Sequence, residues 1–263
     1  MFDAVRVKNE CVEWIRRWFA ENGEGCNAII GISGGKDSTV AAALCVEALG
    51  RERVIGVMMP NGTQADLKDS YAVVNRLGIS YIRVNINDAY NDILYDTFLY
   101  PEDISPDIRD TIEISKQTEI NLAPRLRMTT LYAIAQSMNG RVCNTSNLSE
   151  KRLGWFTLWA DNAGDFSPLG SMTSDEVIAV GDVIAELPGY LVHKSPADGL
   201  SGKTDEDNFG FTYKEANDVI LYKRCNNPEA QKRIGRKKQP KGRNRSPSCT
   251  TAGAIPRDFA SHS

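Results

Sequence analysis

The sequence predicts an α/β fold: a doubly wound parallel sheet with helices on both faces. Three observations predict it. Short apolar runs suited to buried parallel strands alternate with segments of helix-forming composition. Glycines stand where the intervening helices should stop, at Gly50 and Gly78. The first strand-to-helix junction, "GISGGKDSTV" (31–40), is rich in glycines and hydroxyls, and ligands of such sheets bind at the carboxyl ends of strands.

Each element follows from its residues. Val5, Val12, Ile15, Trp18 and Phe19 recur at helical spacing and Asn22-Gly23 offers a stop, so the chain opens with an amphipathic helix. "NAIIGI" (27–32) is the first strand, and "STVAAALCVEAL" is a helix that ends at Gly50. "RVIGVMMP" (53–60) is the second strand, followed by a helix from about Asp66 to Leu77 and a third strand, "SYIRVNI" (80–86). Residues 88–99 and about 112–138 read as helices, and "RVCNTS" (141–146) is the fourth strand. From about 224 the periodicity fades. Residues 232–263 combine clustered positive charge, Pro, Ser and Gly with little to bury, so they are expected to form a flexible carboxyl-terminal tail behind a domain spanning 1–231.

Composition narrows the function. The chain has 263 residues, 41% hydrophobic and 25% charged, as in soluble globular proteins. It has no apolar run near the ~20 residues that span a bilayer, and the amino end lacks the basic-then-apolar order of a secretory signal. The six cysteines include no CxxC pair, which disfavours a zinc site or disulfide framework and fits reduced thiols in the cytoplasm. With eight basic side chains in 232–245 and −3 overall, the rest of the chain carries −11. Such an acidic body argues against nucleic acid as a partner of the main domain, and no membrane contact is expected.

The glycine-rich junction is a phosphate cradle of its own kind. It fails the Walker pattern GxxxxGK[ST], because Asp37 follows Lys36 and position 30 is Ile; "GLSGKT" (199–204) fails because position 197 is Ala. "SGGKDS" opens a helix, so backbone N–H groups and the positive helix end face an anion. Gly34 and Gly35 admit oxygens close to the backbone, Ser33 and Ser38 offer hydroxyls, and Lys36 adds charge. Asp37 would repel a bare phosphate; it makes sense with Mg²⁺ between them.

This stretch resembles the SGGxDS pyrophosphate loop of the ATP pyrophosphatase superfamily, whose fold is the adenine-nucleotide α-hydrolase type. "PNGTQAD" (60–66), "NLAPRLRM" (121–128), "NTSNLSE" (144–150), "GWFTLWADNAGDFSPLG" (154–170) and "HKSPADGLSGKTDEDNFGFTY" (193–213) resemble successive segments of the ammonia-dependent NAD synthetases, over roughly residues 1–223. The resemblance implies a carbon–nitrogen ligase of the EC 6.3.1.5 type: deamido-NAD is adenylated by ATP with release of pyrophosphate, then amidated by ammonia to NAD and AMP. It also implies a homodimer, with the first helix and the 88–100 region as candidate interface elements or, equally, as intramolecular core. No glutamine-handling domain with a nucleophilic cysteine is present, so ammonia is expected free or from another protein. Alternatives are another SGGxDS adenylating enzyme, of the GMP synthetase or tRNA thiolase kind, or a nucleotide-binding module without catalysis.

The resemblance also implies roles. Gly31, Ile32, Ser33, Gly34, Gly35, Lys36, Asp37 and Ser38 would hold the ATP phosphates, with Gln64 and Thr145 touching the nucleotide. Asp37 and Glu150 match the magnesium ligands; Lys36 and Asp37 would be catalytic in the first step. Arg125 and Asp165 match deamido-NAD contacts, and Asp161 an aspartate suited to taking a proton from ammonium. Trp155, Phe156 and Trp159 could flank the pyridine ring, although core packing suits at least two of them. Three positions depart from the pattern: Leu158 and Ser174 stand where many relatives have substrate- and ATP-binding lysines, and Met58 where a nucleotide contact is commonly basic. Lys194 and Lys203 are candidates to supply that charge. The family's closing His-Lys pair is not recognisable; the late histidine, His262, precedes Ser263.

Overall fold

The computed structural model describes residues 2–64, 66–98, 104–109, 111–194, 205–223 and 227–235. Helix α1 (Ala4–Asn22) leads into β1 (Asn27–Gly31), α2 (Lys36–Leu49), β2 (Val54–Met58), α3 (Leu67–Leu77) and β3 (Ser80–Arg83). Then come α4 (Asn87–Phe98), α5 (Pro106–Arg109), α6 (Lys116–Ser137) and β4 (Gly140–Val142). The remainder is helical: α7 (Leu148–Leu153), α8 (Ser174–Asp182), α9 (Gly189–Val192), α10 (Asp205–Phe209), α11 (Tyr213–Tyr222) and α12 (Pro228–Gly235).

The strands form one parallel sheet in the order β3-β2-β1-β4, so the winding reverses between β1 and β4. That reversal opens a crevice at the carboxyl ends of β1 and β4, and the segments leaving those strands are "SGGKDS" and "NTSNLSE". All five β2 residues are buried, as expected of a strand covered on both faces. One face packs Ile30, Ile32, Val54 and Met58 against α1, α2, α8 and α9. The other packs Ile29, Ile55 and Val57 beneath α6 and α4. A third cluster, Leu153, Phe209, Phe211, Tyr213, Ala216 and Ala230, joins the later helices.

Two features bear on the expectations. The first helix directs Cys11, Val12, Trp14, Ile15 and Phe19 into the core, so its apolar stripe is satisfied within the chain; Val5 alone among its expected apolar positions is 55% exposed. The boundary drawn after 231 falls inside α12, where Ile234 packs on the third cluster and the Arg233 guanidinium lies 5.1 Å from the Phe209 ring and 6.0 Å from Trp155. Amphipathic spacing of Ala230 and Ile234 with a cation on aromatic faces outweighs the local charge. The rest of the expected tail, 236–263, and residues 195–204 of the 193–213 segment, Lys203 among them, lie outside the described residues. Among the described residues, no helix is long and apolar enough to cross a membrane.

Candidate active site

The phosphate loop is built by its own side chains. Ser33 Oγ lies 3.1 Å from Ser38 Oγ and accepts from the Gly35 N–H at 3.2 Å, while Ser38 and Thr39 hydroxyls donate back to the Gly35 carbonyl at 3.1 and 2.8 Å. No side chain caps α2, which leaves its amino end to an external acceptor. Gly34 has φ +77°, and a Cβ there would meet Asp69 Cβ at 2.8 Å and Ser70 N at 2.9 Å. Only glycine combines that conformation with so close an approach of α3. Ile32 is buried and extends the β2 pairing through its N–H to Val57 O, so its side chain anchors the loop and does not line it.

Lys36 is 3% exposed: its Nζ donates to Asp37 Oδ2 at 2.7 Å and stands 5.8 Å from the Tyr213 ring centroid. The second Asp37 oxygen accepts from Asn147 Nδ2 at 3.0 Å. Asn147 is fully buried and caps α7 in a reciprocal box: it accepts the Glu150 N–H at 3.1 Å and gives its own N–H to Glu150 Oε2 at 3.0 Å. One asparagine thus joins the two expected metal ligands at the ends of neighbouring strands. Their hard carboxylate oxygens suit Mg²⁺, which is commonly held by one or two carboxylates plus substrate phosphates. Among the described residues no group of three or more His, Cys, Asp or Glu side chains clusters for a metal.

Across the crevice, the 154–166 loop lies along α6. Thr157 Oγ1 donates to Asn121 Oδ1 at 2.9 Å, Arg125 Nε to Leu158 O at 3.2 Å, and Tyr132 Oη to Asp165 Oδ1 at 3.4 Å. Asp161 is the pivot. Its carbonyl accepts from Asn144 Nδ2 at 3.1 Å and Ser146 Oγ at 2.7 Å, and its carboxylate accepts the Thr157 N–H at 3.0 Å. Gly164, at φ +151°, lets Asn144 approach to where a Cβ would meet its backbone N at 2.7 Å. Burial pushes the Asp161 carboxyl above its ordinary value, opposed by the Thr157 N–H and the Arg127 guanidinium.

The structure therefore brings together Lys36, Asp37 and Glu150 through Asn147, and ties Asp161, Arg125 and Asp165 to one loop on α6. Asp165 also braces β4, its Oδ2 accepting the Val142 N–H at 2.7 Å. Gln64 and Thr145, both half-buried, sit in the loops after β2 and β4. Trp155 belongs to the third cluster, edge-on to Phe209 at 4.7 Å, so packing is its role. Trp159 is the opposite case: 70% exposed, with φ +66° and its N–H donated to Asn162 Oδ1 at 2.9 Å. Of the departures, Leu158 is exposed, Ser174 is buried with its N–H on Ser149 Oγ at 2.9 Å, and Met58 is fully buried in the core. Position 58 thus faces away from the crevice. Lys194 is paired to Asp69 at 2.6 Å, beside the phosphate loop. Sequence reasoning missed Asn147 and Arg127; the NxxE capping signature and a cation at an otherwise apolar helical position were the available signals.

Comparison with known proteins extends over nearly the whole of this arrangement. A family model described as NAD synthase matches residues 7–245. The NH(3)-dependent NAD(+) synthetase of Thermococcus sibiricus is 36% identical over 84% of this chain and 81% of its own length. Among solved structures, NMN synthetase from Francisella tularensis superposes with a TM-score of 0.77 at 30% identity, covering 89% of this chain and 92% of its own. An NH3-dependent NAD synthetase from Campylobacter jejuni gives a TM-score of 0.67 at 23% identity, covering 93% of this chain and 100% of its own.

Proposed function

We infer function from the premise that this chain belongs to the NAD synthase family. It is an ammonia-dependent NAD synthetase, a carbon–nitrogen ligase that couples ATP cleavage to amidation of deamido-NAD. The observation that carries the reading is the meeting of the phosphate loop, through Asp37 and Asn147, with Glu150 at the crevice between β1 and β4.

The chemistry divides between the two walls. The nicotinate carboxylate attacks the α-phosphorus of ATP; an O–P bond forms as the bond to pyrophosphate breaks. On the phosphate wall, the loop N–H groups and Lys36 hold the polyphosphate in line, which is the main contribution a protein makes to such transfers. Asp37 and Glu150 would hold Mg²⁺, which neutralises charge on the departing pyrophosphate. On the other wall, Asp161 takes a proton from ammonium, and the resulting ammonia attacks the acyl carbon while AMP leaves with the bonding pair. A carboxyl already raised by burial is better matched to that proton than an ordinary one. Arg125 on α6 and Asp165 on the loop lying along it orient deamido-NAD. We place the enzyme in the cytoplasm, a reading that the four buried free thiols among the described residues support.

The assembly we propose is a homodimer. Ile93, Tyr95, Ile108, Ile112, Tyr132 and Met138 are exposed apolar side chains from α4 to α6, and Met138 also lines a shallow apolar recess of about 510 Å³ with Ile82, Ala133 and Ile134. Exposed apolar side chains of this kind support an interface.

A second reading concerns the acceptor. The greater likeness to the Francisella NMN synthetase than to the Campylobacter structure favours testing nicotinate mononucleotide as the substrate of the same two steps. Incubation with ATP, Mg²⁺ and ammonium plus either acceptor, with products read by mass, decides both points. NAD, AMP and pyrophosphate in equal amounts from deamido-NAD are expected. Faster amidation of the mononucleotide would move the assignment to it, and ADP with phosphate would overturn the reaction type.

A further inference from the structure

The sheet-facing stripe of α6 runs Ala123, Arg127, Leu131, Ala135, at four-residue intervals. Three of these are buried apolar side chains; the fourth is a guanidinium. Leu131 lies over the end of β1, its Cδ1 3.4 Å from where a Gly31 Cβ would stand. Arg127 is one turn nearer the helix start, about 5.4 Å further along the axis. It therefore clears the end of β1 and reaches past β2, where its Nε donates to Met59 O at 3.0 Å.

A buried arginine can be a simple bracket, and this protein has one for comparison. Arg53 gives both Nε (3.1 Å) and Nη2 (2.6 Å) to the Cys26 carbonyl and lies over the Phe19 ring at 5.6 Å. Two of its nitrogens thus serve the scaffold. Arg127 gives the scaffold its Nε alone, and among the described residues no hydrogen bond or ion pair engages its η nitrogens. Burial pulls its pKa below the usual arginine value, opposed by the charges of Asp161 and Asp66. Arginine stays charged regardless. The result is a partly desolvated fork anchored on the segment after β2 and within the field of Asp161.

The reaction needs such a fork there. A carboxylate attacking an α-phosphate brings two anions together, and repulsion between them opposes the step. Leucine at 158 supplies no charge, and Arg125 turns its Nε to the Leu158 carbonyl. We propose that the η nitrogens of Arg127 hold the nicotinate carboxylate and a non-bridging α-phosphate oxygen together during adenylation. This rests on the NAD synthetase reading and adds a substrate-holding residue to it. A planar guanidinium bridges two oxygens in a way that a lysine ammonium does not.

The test uses the full chain with Arg127→Ala, Arg127→Lys and, as the bracket control, Arg53→Ala. Pyrophosphate formation with ATP, Mg²⁺ and deamido-NAD is followed by rapid quench, and melting temperature is measured alongside. Removing one preorganised donor at a developing anion costs about a hundredfold to a thousandfold. Arg127→Ala is expected to slow pyrophosphate formation by about that factor, with free guanidinium ion recovering part of it. Arg127→Lys is expected to remain folded and stay slow, while Arg53→Ala loses melting temperature and gains nothing from guanidinium. Normal pyrophosphate formation by either Arg127 variant overturns the proposal, as does a defect confined to amidation. If Arg127→Ala fails to fold, the lysine variant decides. If the unmodified chain makes no NAD in this assay, the underlying reading fails instead.

Discussion

Asn147 donates its side-chain amide to Asp37 Oδ1 at 3.0 Å, across 110 residues of sequence. The same residue caps α7 and receives the Glu150 carboxylate on its backbone, so one side chain sets the spacing of both expected metal ligands. Asn147→Ala should cost about 1 kcal/mol of stability for the lost cap and weaken apparent Mg²⁺ affinity by roughly tenfold to a hundredfold, as losing a ligand's orienting partner does. Asn147→Ser keeps a capping oxygen but cannot reach as far. It should recover the melting temperature and not the metal affinity. A Mg²⁺ titration of pyrophosphate release checks both variants; normal affinity in both would mean that Asn147 is a cap alone.

Gly34→Ala attacks the phosphate loop from within. The added methyl would stand 2.8 Å from Asp69 Cβ and 2.9 Å from Ser70 N, at φ +77°. Left-handed backbone costs a non-glycine residue about 1–2 kcal/mol, and the overlap forces α3 outward, carrying the Asp69–Lys194 pair with it. The melting temperature should fall by several degrees and ATP should bind at least about tenfold more weakly. ATP titration by calorimetry is the measurement.

Asp161 should impose the acid limb of amidation. Its carboxyl is raised by burial, against the pull of the Thr157 N–H and Arg127. A raised carboxyl takes up its proton at higher pH than an ordinary aspartate, so the base form is lost earlier as the solution is acidified. The sign for stability runs the other way: charging this buried group disfavours the fold as pH rises from the ordinary value through the raised one. Asp161→Asn should therefore melt no lower than the parent at pH 7. It should still release pyrophosphate, amidate slowly, and recover partly at high pH, where free ammonia is abundant. Equal slowing of both steps would refute the role.

The carboxyl-terminal boundary can be tested by two truncations that flank Lys232 and Arg233. Ending the chain after Gln231 removes Arg233 from the Phe209 and Trp155 rings and Ile234 from the third cluster. Ending it after Gly235 keeps both. The first should lower the melting temperature measurably, since cation–π contacts contribute about 0.5–2 kcal/mol and an apolar side chain adds to that. The second should leave it closer to the full-length value. Identical melting curves would restore the boundary at 231.

The parallel sheet was legible because its signals are local: unbroken apolar runs, glycine stops and the glycine-rich junction. The phosphate loop was legible for the same reason. The helices after β4 were harder, being as short as four to ten residues with little room for periodicity. Yet three carry reciprocal caps, Asn147–Glu150, Thr173–Glu176 and Thr212–Glu215, each spelled out as a capping residue three before glutamate. What no local pattern contains is a meeting such as Asp37 with Asn147, or the destination of Met58. Whether a strand side chain faces ligand or core depends on which helix finally covers it, and that is settled by packing at a distance.

Tyr213 lies against the buried ammonium of Lys36, and that contact has a temporal consequence. The chain emerges from the ribosome amino end first, and domains assemble in that order. Strands β1 to β4 and the phosphate loop are complete some seventy residues before Tyr213 is made. Until then the loop lysine lacks its aromatic cover, and the nascent protein carries an unfinished nucleotide cradle. A chain whose translation stops early would thus present the sheet without the aromatic cover of Lys36.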